Sequence, residues 1–173
     1  LIGEPNYGAN QDLQQWIAQD DFNYATATFA LPATLLAYRN VDLVLEGIDT
    51  ISAITFNNQP VLNARNMHRT YHVDVKALVR STGNSMAANF TGPVPGSLAA
   101  QAACGPICGD ANCTCPHAWP GPAPDQMLIN GYIRKEQQSF GWDFAPTTGT
   151  SGITKEPKLV GYDVALIRDV VVT

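Results

Sequence analysis

Cys104, Cys108, Cys113 and Cys115 fall within twelve residues and are followed by His117, which supplies either the ligand types of a metal knot or the thiols of two disulfides. Tetrahedral zinc draws on four soft ligands converging from paired knuckles, usually C-x2-C. Here the intervening residues number three, four and one, a spacing that argues against zinc. Disulfides that pin a loop with little apolar material of its own fit better, and the sequence leaves their pairing open. No metal and no cofactor is expected. Asn89-Phe90-Thr91 and Asn112-Cys113-Thr114 both match the N-glycosylation pattern, so Asn89 and Asn112 are candidate glycan sites. With the clustered cysteines they favour passage through an oxidising secretory compartment. Carboxyl pairs are the groups of acid–base chemistry. Asp20-Asp21 are adjacent with nothing converging on them, and Glu46 with Asp49 fall at turns or strand rims, so solvation or turn capping is the reading for both clusters.

The elements that must carry these residues are short. The chain has 173 residues, the size of one ordinary domain, and a charged fraction of 14%, well under the ~25% typical of soluble domains. Ten Lys and Arg against fifteen Asp and Glu, with no basic block, argue against a nucleic-acid partner. No window approaches the ~18 consecutive apolar residues of a membrane span. Leu1-Ile2-Gly3-Glu4-Pro5 has neither the charged flank nor the apolar core of a signal peptide, and with no initiator Met a processed or excerpted chain is expected.

Val41 to Leu45 alternates apolar and polar, and Ile51 to Phe56 runs into Asn57-Asn58-Gln59-Pro60 before Val61-Leu62, which reads as strand, strand, turn, strand. Tyr71, Val73 and Val75 share one face of another strand, Ser85 to Phe90 forms a further one, and 158–173 supplies two more. Short strands at turn-punctuated spacing predict an all-β sandwich. Leu13, Trp16 and Ile17 behind an Asn10 cap, and a turn opened by Pro32 and running to Tyr38, predict two brief helical interruptions. Trp16 and Tyr7 read as core or domain-interface aromatics. Residues 92–124 hold all four Cys and a high density of Gly and Pro, and are predicted to form one irregular surface loop.

Five blocks stand in one order: Asn6-Tyr7-Gly8-Ala9-Asn10 with Trp16-Ile17; Val41 to Thr50; Asn66-Met67-His68-Arg69; Ile133-Arg134-Lys135-Glu136-Gln137; and Ser139-Phe140-Gly141-Trp142-Asp143. In this combination the chain resembles, over essentially its whole length, the N-terminal sugar-binding domain of β-mannosidases of glycoside hydrolase family 2, particularly the animal lysosomal type. The resemblance implies a jelly-roll β-sandwich of the galactose-binding-domain type over residues 1–166, with 167–173 as first strand or linker into an immunoglobulin-like domain. It implies as partners that domain, a TIM barrel of the same enzyme and a β-mannoside or glycan ligand. Retaining hydrolysis needs two carboxyls about 5–5.5 Å apart. In the family both are barrel glutamates, so no catalytic residue is expected in this chain.

The resemblance further implies that Trp142 and Asp143 wall the mannose subsite. The chemistry suits a pyranose, whose C–H face packs on an indole while a carboxylate accepts hydrogen bonds from hydroxyls. The family run Trp-Asp-Trp-Gly-Pro here reads Trp142-Asp143-Phe144-Ala145-Pro146, and its Gly-Ile-Trp reads Gly152-Ile153-Thr154. His68 and Arg69 are expected in inter-strand or inter-domain hydrogen bonds. Arg134, Lys135 and Glu136 are expected in salt bridges within the domain or against the barrel. His68, Arg69, Arg134 and Glu136 are the residues placed to orient the subsite from behind. Two other readings are a stand-alone secreted carbohydrate-binding or structural module, and the same family acting on a β-galactoside or β-glucuronide.

Overall fold

A computed structural model describes residues 10–104, 131–141, 149–168 and 170–172, and the structural statements below concern those residues. In chain order they form α1 (Asn10–Leu13), β1 (Phe22–Ala25), α2 (Ala33–Ala37), β2 (Asn40–Leu45), β3 (Ile48–Asp49), β4 (Ile51–Phe56), β5 (Gln59–Arg65), β6 (Tyr71–Asp74), β7 (Met86–Phe90), α3 (Pro93–Cys104), β8 (Gly152–Ile153) and β9 (Lys158–Tyr162). Single 3-10 turns add Gln15–Ala18 and Gln137–Phe140.

The strands pair into a four-stranded antiparallel sheet ordered β1-β7-β4-β5, a three-stranded sheet ordered β6-β2-β9 and the small β3-β8 pair. Period-two burial explains the layering. In β4, Ser52, Ile54 and Phe56 are buried while Ala53 faces out, and β7 buries Met86, Ala88 and Phe90 in the same way. Those inner residues meet Val41, Leu43 and Leu45 of β2 and Ile48 of β3 in one core, so the two larger sheets form a sandwich.

The β4–β5 hairpin turns on two residues, Asn57 and Asn58, at φ of 50° and 63°. Asparagine is among the few non-glycine residues that tolerate this conformation, which a tight hairpin needs at both positions. The turn is therefore shorter than predicted, and Gln59 and Pro60 belong to β5, with Pro60 at the register shift of an edge strand where a missing N–H is tolerated. Asn57 also builds inward: its amide nitrogen donates to Leu78 O and to Asn84 Oδ1, and its oxygen accepts from Ser85 N. Asn84, fully buried, donates to Arg80 O and Phe29 O and accepts from Arg80 N. Two amides thus satisfy a loop that crosses the end of the sandwich.

The structure corrects three expectations. The first part of the supposed irregular loop 92–124 is α3, a helix of twelve residues. Pro93 at its first position costs no hydrogen bond, Leu98 to Ala103 are strong helix formers, and Gly96 lets the helix lie against Ile51, whose Cδ1 would stand 2.7 Å from a Cβ. After β9, 163–168 and 170–172 form no second strand. Leu166, Ile167 and Arg168 instead line a cleft over the outer face of β2, beside Val44. This covering explains how Asp42, mid-strand, is buried: its carboxylate accepts from Arg168 Nη2 at 3.2 Å and from Tyr162 Oη at 3.4 Å. At the N-terminal end the buried residue is Ala18, while Leu13 is 74% exposed and Trp16, 44% exposed with its ring 6.2 Å from Phe22, lies outside the core. Asn10 is helical and the first of the described residues, and Tyr7 lies outside them.

Asn84→Ala should strand several buried partners, each costing about 1–3 kcal/mol when left unsatisfied. The expected loss, read from the urea midpoint of the 173-residue chain, is about 3 kcal/mol or more.

Candidate functional site

Lys135 has a side chain with no exposure, and an ammonium in that position needs a counter-ion and saturated donors. It finds both. Nζ lies 2.6 and 2.5 Å from the two carboxylate oxygens of Asp49 and donates to Thr150 O at 2.9 Å. The Asp49 carboxylate also accepts from Thr50 Oγ1 at 2.5 Å and from Thr150 Oγ1 at 3.4 Å. One buried ion pair thereby ties three segments that are far apart in sequence: 48–50 at β3, 133–136, and 149–153 leading into β8.

The β3–β8 pairing reinforces the same junction, with Ile48 opposite Ile153 and Asp49 opposite Gly152. Gly47, at φ +69°, is required there because a Cβ would collide with Thr154 Oγ1, and Gly47 O accepts from Thr154 N at 2.9 Å. On the other side, Asn66 bridges Arg134 in parallel and Met67 N donates to Arg134 O at 3.0 Å. The turn that follows is fixed by Tyr71, whose hydroxyl donates to Asn66 O at 2.9 Å and accepts from Asn66 N at 3.1 Å.

A satellite core of Ala18, Val94 and Phe140, with Ile133 against it, supports the junction from below. Gly141 and Gly149, both buried, frame residues 142–148. Gly141 adopts φ +95° and its N donates to Gln138 O, while a Cβ on Gly149 would stand 2.7 Å from the Ala18 Cβ. Both stems of the segment that carries Trp142 and Asp143 are therefore anchored, one through Phe140 and the other through Thr150 and the lysine. Trp142 and Asp143 themselves lie outside the described residues.

The match of a family model to residues 1–155 decides the classification, its description being a glycosyl hydrolase 2 galactose-binding domain-like domain. The chain belongs to this family. It is 31% identical over 95% of its length to a β-mannosidase of Capra hircus and 32% identical over 95% to one of Bos taurus. A solved β-D-mannosidase from Dictyoglomus thermophilum superposes on 94% of the chain with a TM-score of 0.74 and 29% identity. The chain spans 18% of the length of each of these three proteins. The galactose-binding-like, all-β class expected from the sequence is thus the class observed.

Within this galactose-binding-like domain the sequence-predicted residues divide. The blocks around His68-Arg69 and Arg134-Lys135-Glu136 do come together, through backbone pairing of Asn66 and Met67 with Arg134. Their outer side chains do not converge on a common point: His68 and Arg134 are exposed, and Arg69 stacks its guanidinium 5.6 Å from the Tyr71 ring. His68 contributes its backbone N to Asn66 Oδ1, and Glu136 accepts from Gln138 Nε2 while its N donates to Met67 Sδ. The expected internal salt bridge exists, but of the three charged residues in its block Lys135 is the one that makes it. Asp49, expected on a solvated rim with Glu46, is 2% exposed and is the residue that sequence reasoning misses. Glu46 does sit toward solvent, 3.4 Å from Lys155, and Asp21, instead of capping its own turn, accepts from Gly92 N 71 residues away at 2.9 Å. Asn89 is exposed on β7, Cys104 ends α3, and Cys108, Cys113, Cys115 and Asn112 lie outside the described residues.

Lys135→Met leaves the Asp49 carboxylate buried and unpaired, which should cost about 3–5 kcal/mol, whereas Lys135→Met with Asp49→Leu should regain most of the loss. Urea unfolding of both variants checks this. A single substitution costing under about 1 kcal/mol would contradict the reading of the pair.

Proposed function

We propose that this domain is the non-catalytic sugar-binding part of a retaining exo-β-mannosidase and that it supplies Trp142 and Asp143 to the mannose subsite. The observation that carries the reading is the match at 31–32% identity, over 95% of the chain, to proteins named β-mannosidase. The buried Lys135–Asp49 pair supports it, because it spends an expensive ion pair on holding the stems of the segment that bears the Trp-Asp motif. In this reading the two reacting glutamates belong to a TIM barrel, the indole receives the C–H face of the sugar and the Asp143 carboxylate accepts from its hydroxyls. His68, Arg69, Arg134 and Glu136 line the approach of the neighbouring domains, and 167–173 leads into the immunoglobulin-like one. The four cysteines pair as disulfides and the enzyme works in the lysosome or outside the cell.

Among the described residues no helix is long and apolar enough to cross a membrane. No ligand-holding role for a metal or cofactor enters the proposal.

In the full-length enzyme, Asp143→Asn should lower kcat/KM for an aryl β-mannoside by about 10- to 150-fold, the equivalent of one charged hydrogen bond of ~1.5–3 kcal/mol. The 173-residue chain alone should release no aryl leaving group. Unchanged kcat/KM in Asp143→Asn would remove the assigned role.

A further inference from the structure

The outer face of the four-stranded sheet carries residues to which the proposed function gives no role. Alternation within the strands turns Asn23 of β1, Asn89 of β7, Ala53 of β4 and Asn63 of β5 outward, and the registers set them in one row: Asn23 opposite Asn89, Asn89 opposite Ala53, Ala53 opposite Asn63. All four are exposed. The next row on one side is small as well, with Ala25 opposite Ala87 and Ala87 opposite Thr55. On the other side Arg65 stands opposite Ile51. The result is a cleft of about 510 Å³ with Asn89 in its lining.

Two features of this face call for an explanation. Strand positions that face outward ordinarily favour β-branched or aromatic side chains, which pack on their neighbours across the sheet. Here, among the described residues, the positions directly beside Asn89 are Asn23, Ala53 and Ala87, while Asp21, Ile51 and Thr91 close the cleft on the side of α3. The residue at the middle of this row of small and amide side chains is also the acceptor position of Asn89-Phe90-Thr91, with Phe90 pointing into the core and Asn89 pointing out.

We infer that Asn89 carries an N-linked glycan whose first sugars lie on the outer face of the four-stranded sheet. The amides of Asn23 and Asn63 each offer two donors and an acceptor to sugar hydroxyls, Arg65 adds further donors, and Ala53 leaves a flat floor for a pyranose ring. The volume falls within the ~300–1,000 Å³ of small-molecule clefts. In the transfer step Asn89 Nδ2 forms a bond to C1 of the first N-acetylglucosamine of a polyprenyl-diphosphate-linked oligosaccharide. The C1–O bond to the diphosphate breaks, the polyprenyl diphosphate leaves with the electron pair, and the amide nitrogen gives up one proton. The inference rests on the secretory passage proposed above. It adds that the sheet face is covered by sugar attached to this chain.

The test uses the full-length protein secreted from a eukaryotic cell. Peptide-N-glycosidase release in heavy-oxygen water should convert Asn89 to an oxygen-labelled aspartate, and Asn89→Gln should lower the intact mass by one glycan. Release from Asn89 should be at least tenfold slower in the folded protein than after denaturation, because the sugar–protein linkage is seated against the sheet. An unlabelled Asn89 in secreted protein overturns the inference while leaving the secretory reading intact. Equal release rates from folded and denatured protein overturn the seating. Retention of the protein in the cytosol overturns both. A titration of Asn89→Gln protein with chitobiose distinguishes the sources of sugar: no binding is expected, and saturable binding at this face would make it a site for a free glycan instead.

Discussion

A lysine and an aspartate with almost no exposure, 2.5 Å apart, set the constraint on which one end of this domain depends. In the sandwich interior an unanswered ammonium costs several kcal/mol, so wherever Lys135 goes Asp49 must follow, and the two bring their segments with them. Because Lys135 also takes the carbonyl of Thr150, and Asp49 takes the hydroxyls of Thr50 and Thr150, the pair has few unsatisfied positions left. Hydrophobic residues of similar size often match a buried ion pair in stability. They would not specify one register among three segments, which is what a directional contact does.

That constraint explains the uneven distribution of packing. The large core between the two sheets is held by alternation within β2, β4 and β7. The end that bears 131–141 and 149–153 has only a two-residue ladder, β3 with β8, and the small cluster of Ala18, Val94 and Phe140 among the described residues. Little apolar area is available there, so polar contacts and close-packed glycines at 47, 141 and 149 do the positioning. Residues 142–148, which carry the pair assigned to the proposed subsite, join these two stems in sequence.

The sandwich is legible in the sequence because its strands obey a period of two. Ile54 and Phe56, or Val41 and Leu43, announce their face within a few residues. The Asn57-Asn58 turn is legible for a related reason, since local backbone preference decides it, though counting Pro60 as part of the turn overstates its length. α3 is hidden by Pro93, Pro95 and Gly96, which read as breakers although a helix tolerates proline in its first turn. The Lys135–Asp49 pair is hidden by distance, as its partners are 86 residues apart and each stands among other charges. One local signal is available: Lys135 follows the half-buried Ile133 by two, on the side opposite Arg134 and Glu136. The roles of Trp142 and Asp143 come from motif resemblance alone, because an adjacent aromatic and carboxylate have no periodicity to mark them.

The central claim is that the pair holds the 142–148 segment where it completes a sugar site built mainly by another domain. A crystal structure of the full-length enzyme with a mannose-derived inhibitor tests it most directly. The account predicts an Asp143 carboxylate oxygen within about 2.5–3.0 Å of a sugar hydroxyl, with Lys135 still bonded to Asp49 beneath it. A mannose subsite closed by barrel residues alone, with Trp142 and Asp143 turned away from the sugar, would contradict it.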